Sequence, residues 1–439
     1  MHEVVRNTNA ELKSNFEYAL NWSDRMFSAL QADALHQRPI PLRLPCIFYY
    51  GHLPAFLWNQ VFRAALKIKS FNAEFDTIFE RGIDPPDLQD TVVMSPNRQT
   101  SSSWPAVPEI TRYKERIEKD LWCLLDNEHI EPRSQLSTAL HMVLEHYLMH
   151  IETFFYMMHQ LPYDLKVPIK IEDTGGRALA RLDRKTTVSP LVSVPAGIAT
   201  IGANRDEIAF GWCNEFDQFS ADVDGFTIDR FPVTNQQFLE FVSAGGYENP
   251  SLWSQEGWQW LQNTGKTHPH FWFPSGARWL YRGMFEISDL NENAPVWVTH
   301  AEAQAYCKWK GALLPTEAQY HRAAFRSVEI NNRAGNFGLQ RFAPTSVGEH
   351  PQGASDFGVE DLLGNGWEWT SSIFAPFKGF KPIETYRGYS ADFFDDRHFV
   401  LKGASPVTPK GLIRESFRNW FQPHYPYVYA KFHCVQPNS

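Results

Sequence analysis

A chain of 439 residues exceeds what one ordinary core organises, so two domains are expected, each large enough to bury a sizeable core. Its composition, 43% hydrophobic and 21% charged, excludes a disordered chain, and a formal net charge of −9 argues against a protein that tracks nucleic-acid phosphates. Cys46, Cys123, Cys213, Cys307 and Cys434 are scattered without a C-x-x-C pair, which opposes a disulfide framework or thiolate zinc site and suits a reducing compartment.

The N-terminal MHEVVRNTNAELKSNFEYAL has no apolar signal core, and no later segment runs to 18 apolar residues, so a cytoplasmic protein without a membrane partner is expected. From about residue 9 to 165 the pattern is helical. In NFEYALNWSDRMFSAL, Phe16, Ala19, Leu20, Met26, Phe27 and Leu30 make one apolar stripe. PAFLWNQVFRAALKI predicts a second helix with Pro54 in its first turn, where a missing N–H costs little. EITRYKERIEKDLWCLL predicts a third and SQLSTALHMVLEHYLMHIETFFYMMHQL a fourth, which together suggest a four-helix bundle. The Pro- and Ser-rich DPPDLQDTVVMSPNRQTSSSWPAVP between the second and third reads as a long connection.

After HQLPYDLKVPIKIEDTGG the grammar changes. Gly, Pro, Trp and Asn punctuate the chain, and short strand-like runs such as LVSVPAGIATIG and FTIDRFPVT alternate with turns. Two helices stand out, TNQQFLEFVSAGG capped by Thr234 and THAEAQAYCKWKGA capped by Thr299 with Glu302 completing a capping box. The expected organisation is a helical domain over 1–165, a linker over 166–189 and an irregular α+β domain over 190–439. The aromatic content of 15% is concentrated in the last of these, where rings either fill a loop-rich core or line a pocket.

Within the fourth helix, EHYLMHIETF places His146 and His150 four residues apart, about 40° around a helix, so both imidazoles can reach one metal ion. Glu152 lies about 200° from His150 and cannot easily join them from the same helix. A third ligand must come from elsewhere, and His52 in IFYYGHLPAFLWN is the best candidate, a histidine inside an apolar segment that needs a partner. Three imidazoles with open positions would suit iron(II), zinc or copper. By spacing alone such a pair is more often incidental than a metal site, as His141 and His159 on the same helix illustrate.

IDRFPVTNQQFLEFV, PVWVTHAEAQAYCKWKGALLPTEAQYHRAA, GNGWEWTSS and FRNWFQPHYPYVYAKF, in this order, resemble the formylglycine-generating enzymes over roughly residues 190 to 439 and imply their C-type-lectin-like fold. The N-terminal half resembles a DinB-like four-helix bundle. The family that fuses these two domains is that of the ergothioneine- and ovothiol-pathway sulfoxide synthases. In it, an H-x-x-x-H-x-E motif and an earlier histidine form a three-histidine nonheme iron centre; the matching positions here are His52, His146 and His150. The resemblance implies Fe(II) as cofactor and O2 as co-substrate.

It further implies that Tyr386 of YRGYSADFF is a proton donor near iron and that Tyr389, with Trp420 of SFRNWF, faces a trimethylammonium group. A quaternary ammonium has no N–H to donate, so aromatic faces suit it, which points to hercynine, the betaine of histidine. Asn419 would bind its carboxylate. Trp367 and Trp369 in GNGWEWTSS are read as core residues of the wider fold.

Several departures bear on the second substrate. No close cysteine pair stands near the C-terminus, which argues against the copper-dependent formylglycine reaction. Relatives that use γ-glutamylcysteine carry several arginines after the first histidine and an aspartate after the Asn-Trp pair; here Arg81 stands alone and Phe421 follows Trp420. Met149 replaces a substrate-holding glutamine, and a thioether is no hydrogen-bond donor. Lys402-Gly-Ala-Ser-Pro406 replaces the Gly-Gly-Ser-Trp common in the fold. These changes fit a branch with another donor, free cysteine or the selenosugar of the selenoneine synthases. The expected function is therefore an iron(II)- and O2-dependent synthase forming a C–S or C–Se bond at the imidazole C2 of hercynine. The alternatives are an ovothiol-type 5-histidylcysteine sulfoxide synthase acting on histidine, and a catalytically inactive binding module.

Overall fold

The computed structural model describes residues 2–80, 104–171, 191–276, 278–325 and 333–437. Arg81, residues 84–103 of the long connection and residues 172–189 of the expected linker lie outside the described residues. By contacts the chain forms two compact units. One comprises Met1–Ile169, Arg205–Cys213 and Lys381–Asp392, the other Lys170–Asn204, Asn214–Phe380 and Phe393–Ser439. Where a single cut between domains was expected, the second half therefore lends two short segments to the helical unit.

Among the described residues the first unit holds five α-helices: α1 (His2–Ser28), α2 (Cys46–Leu57), α3 (Ala73–Ile78), α4 (Val107–Asn127) and α5 (Gln135–Gln160). Helix α1 packs on α5, and α2 packs on both α4 and α5. Ser134 starts α5 by accepting the Ser137 amide, 3.0 Å away, which satisfies one of the helix's open N–H groups. Asn72 does the same for α3 through the Phe75 amide.

Helix α2 begins at Cys46, eight residues before the start read from the sequence, so His52 lies inside it and Pro54 is an interior residue. Every residue from Cys46 to Leu57 is buried except Tyr50. A helix enclosed on all sides carries no amphipathic stripe, which is why periodicity did not reveal its first two turns. Pro54 has no N–H for the carbonyl of Tyr50. Past Leu57 the chain widens into a π-helical stretch, Trp58–Ala65, closed by a Leu66 N–H to Val61 carbonyl bond of 3.0 Å. Gly51 permits a close approach here, because a Cβ on it would stand 2.6 Å from the ring of Phe79.

The second unit is an irregular α+β structure. Its strands are β1 (Leu191–Val194), β2 (Gly197–Ile201), β3 (Phe219–Val223), β4 (Phe226–Asp229), β5 (Trp272–Ser275), β6 (Arg278–Arg282), β7 (Ile287–Asp289), β8 (Gly366–Ile373), β9 (Phe399–Ala404), β10 (Asn419–Phe421) and β11 (Ala430–Lys431). The largest sheet runs β10-β9-β8-β11, with only β11 parallel to its neighbour. Helices α6 (Asn235–Ser243) and α8 (His300–Lys310) carry the Thr234–Gln237 and Thr299–Glu302 capping boxes, and Gly311 in the left-handed region ends α8. Two further helices, α7 (Gln255–Thr264) and α9 (Glu317–Ala324), are opened by side-chain caps at Ser254 and Thr316.

Strand β8, interior to this sheet, carries the GNGWEWTSS motif from Gly366 onward. Trp367 and Trp369 are fully buried, and the Trp369 indole donates to the Val298 carbonyl at 2.9 Å. Between them Glu368, with no exposure, accepts from Lys431 Nζ at 2.6 Å and from the backbone and ring of His433. Burial acts to raise its carboxyl pKa, but His433 and Lys431 outweigh that and hold it below the usual range. Lys402, the departure from the fold's common motif, is equally buried and donates to the carbonyls of Glu415 and Phe417. No described helix is long and apolar enough to cross a membrane.

Candidate metal centre

Helices α2 and α5 bring His52, His146 and His150 together. The Nε2 atoms of His52 and His146 are 3.2 Å apart, and those of His146 and His150 also 3.2 Å. One ligand atom from each residue falls within 4.8 Å of the others, and among the described residues no other group of three His, Cys, Asp or Glu does so. Two nitrogens bound about 2.1 Å from one metal lie about 3.0 to 3.4 Å apart, so these separations fit a shared ion.

The protonation states fit as well. The Nδ1–H of His52 donates to the Phe79 carbonyl at 2.7 Å, which leaves its Nε2 lone pair turned to the cluster. Burial lowers the pKa of His52 to about 4, against the opposing pull of that carbonyl. His146 is held well below the ordinary histidine value by burial and by His150 and His52; His150 by burial, His52 and Arg43. All three rings are therefore neutral at pH 7, the form that binds metal. Three Nε2 atoms facing one another would be satisfied together by one cation.

Aromatic rings wall the cluster. Phe48 and Phe56, four residues either side of His52 on α2, stack on the ligand rings: Phe56 on His146 at 3.6 Å and Phe48 on His52 at 5.1 Å. Glu152 does not join the histidines. It is buried and accepts the Tyr156 hydroxyl at 2.5 Å.

Tyr386 and Tyr389 lie in the segment Lys381–Asp392 that packs with the helical unit. A 3₁₀ stretch, Glu384–Tyr389, is interrupted at Tyr386, whose ring centre stands 4.9 Å from Phe56 and 6.1 Å from His146. Tyr389 donates its hydroxyl to Met149 Sδ at 3.3 Å and stacks on Trp212 at 3.8 Å. Asn419 and Trp420 belong to strand β10 of the other unit, where Trp420 stacks on Phe374 at 4.3 Å. Trp212 and Phe56 were missed by the sequence reading. The i, i+4 relation of Phe56 to His52 was an available signal once α2 was extended to Cys46; nothing local marked Trp212.

A helical unit that gathers three neutral imidazoles, joined in one chain to an irregular α+β unit built on a buried Trp-Glu-Trp strand, defines the class. Residues 177–437 match the family described as sulfatase-modifying factor enzyme 1-like domain. Ergothioneine biosynthesis protein 1 of Neurospora crassa is 28% identical over 93% of this chain and 55% of its own length. Hercynine oxygenase of Mycobacterium tuberculosis is 35% identical over 49% of this chain and 54% of its own. That of Mycolicibacterium smegmatis is 33% identical over 68% of this chain and 72% of its own. The chain belongs to the sulfatase-modifying factor enzyme 1-like family, within the group that holds the ergothioneine-biosynthesis proteins and hercynine oxygenases. It spans about half the length of the Neurospora and M. tuberculosis relatives.

Proposed function

We propose that this chain is an iron(II)- and O2-dependent synthase that joins a thiol or selenol donor to the imidazole C2 of hercynine. The observation that carries the reading is the convergence of the His52, His146 and His150 Nε2 atoms beside the ring of Tyr386. Relatives whose names refer to ergothioneine biosynthesis and hercynine oxygenation support it.

His52, His146 and His150 would hold the iron, leaving about half of an octahedral ion's positions open. Iron(II) bound there would supply O2 activation and a seat for the donor's sulfur or selenium. The chain's own residues do the rest. Phe48 and Phe56 exclude water and fix the ligand rings. Tyr386 holds a phenolic proton near the reacting atoms and steers turnover away from simple oxidation of the donor. Tyr389 has given its hydroxyl to Met149, so what it offers a ligand is its ring, and a ring suits a trimethylammonium group. Trp420 would present a second aromatic face and Asn419 a donor for the carboxylate. Histidine itself carries a primary ammonium that wants hydrogen-bond acceptors, which argues for hercynine over the ovothiol-type substrate.

Anaerobic loading with Fe(II), followed by O2 and hercynine with cysteine, γ-glutamylcysteine or a selenosugar, tests the proposal. A hercynine-derived product with a new C–S or C–Se bond at C2, formed in preference to the histidine product in competition, is expected. Iron binding without any such product would refute it.

A further inference from the structure

Beside the histidine row, helix α5 carries a second row, His141, Glu145 and Met149, at steps of four. Successive members are about 6 Å apart along the axis and about 100° from the row of His146 and His150. The two segments that the second half of the chain lends to this unit are fastened to that row. Phe210 stacks on His141 with ring centres 6.4 Å apart, and the Trp212 indole N–H donates to the Glu145 carboxylate at 2.7 Å. The Tyr389 hydroxyl takes the next rung, Met149.

The two segments are also fastened to each other, residue by residue. Trp212 stacks on Tyr389 at 3.8 Å and 21°, and the adjacent Cys213 thiol and Ser390 hydroxyl are 3.2 Å apart. Trp212 is wholly buried, and its ring lies 6.3 Å from Tyr386 as well. Gln60 of the π-helical stretch donates to the Thr385 carbonyl at 3.2 Å and pins the other end of the tyrosine segment. The charge-assisted bond between a buried indole and a carboxylate is the most directional of these links.

We propose that Glu145 and Trp212 are positioning residues: Glu145 fixes the indole, and the indole sets the Tyr386–Tyr389 segment against the histidine row. This rests on the reading of Tyr386 and the three histidines given above. A carboxylate placed one residue before a metal ligand then acts on the reaction through the indole it holds and the two tyrosines that the indole contacts. Displacing a reacting group by as little as 1 Å costs about 100-fold in rate, so such a brace has kinetic weight.

The test compares Glu145→Leu, Glu145→Gln, Trp212→Leu and Trp212→Phe in the full chain, with Tyr386→Phe as reference. Three readouts are taken: iron stoichiometry, kcat with hercynine and the donor, and the electron paramagnetic resonance spectrum of the Fe(II) protein exposed to nitric oxide, a substrate-free report on the surroundings of the open positions. Glu145→Leu and Trp212→Leu are expected to bind iron as the parent does, to take on the Tyr386→Phe spectrum, and to lose about 10- to 100-fold in kcat. Glu145→Gln keeps an acceptor and Trp212→Phe keeps a ring, so both should stay close to the parent. Parent-like spectra in the two Leu variants, or loss of iron in Glu145→Gln, would overturn the proposal. A parent protein that binds iron and gives these spectra yet makes no product from hercynine would sink the functional reading and leave the bracing role standing.

Discussion

The hydroxyl of Tyr389 is donated to the thioether of Met149, 240 residues away in sequence and 3.3 Å away in space. A thioether is a weak acceptor, and it commits the phenol's polar end to the helix, so that only the ring would be left to face the proposed trimethylammonium group. Met149→Leu removes this acceptor. It is expected to leave iron binding unchanged and to raise the KM for hercynine about fivefold, in line with the loss of about 1 kcal/mol of hydrogen bonding. Steady-state kinetics with a parallel metal assay decides it, and an unchanged KM would detach the pair from substrate binding.

Tyr386→Phe keeps the ring against Phe56 and removes the proton. Product should shift from the joined hercynine adduct to the oxidised donor, with the rate of adduct formation falling about 10²- to 10⁴-fold. Quantifying both products by mass spectrometry under single-turnover conditions checks this; unchanged ratios and rate would remove Tyr386 from the chemistry.

The buried Glu368–Lys431–His433 group should behave as a structural device of the second unit. Glu368→Ala leaves an ammonium buried without its counter-charge and is expected to cost about 3 to 5 kcal/mol of stability. Denaturant unfolding followed by tryptophan fluorescence measures it, and a loss under 1 kcal/mol would contradict the assignment.

His300 gives a stability dependence on pH. Its Nε2–H donates to the Thr370 carbonyl at 3.0 Å, its ring stacks on Phe399 at 3.7 Å, and burial lowers its pKa to about 3. Between the ordinary value of 6.5 and 3 the unfolded chain takes up a proton that the folded chain refuses. This contribution to stability therefore falls as pH drops through that window, by about 1.4 kcal/mol per unit. On going from pH 7 to pH 5 the parent should lose about 2 kcal/mol more than His300→Gln. Equal losses in the two proteins would contradict the assignment.

How much was legible in the sequence varied with the source of the signal. Helix α5 could be read because it has a polar cap at Ser134 and repeating apolar steps, and its histidine pair because i, i+4 is a local relation. The first turns of α2 could not, because a helix apolar all round has no period to detect. The part of the site built by Trp212 was hidden for another reason: its partner Glu145 is 67 residues distant, and no local pattern encodes a contact made by chain topology. The tyrosines of 381–392 were reached through family resemblance alone, and their packing with the helical unit is information that only the folded chain carries.

The proposed centre is one iron held by three imidazoles, at which hercynine and O2 would react. Its most direct measurement sets iron stoichiometry and hercynine-dependent O2 uptake side by side in the parent and in His146→Ala. One iron per chain and hercynine-dependent uptake are expected in the parent, with both lost together in the variant while the fold, followed by circular dichroism, is kept. Iron bound in full by His146→Ala, or uptake indifferent to hercynine in the parent, would contradict it.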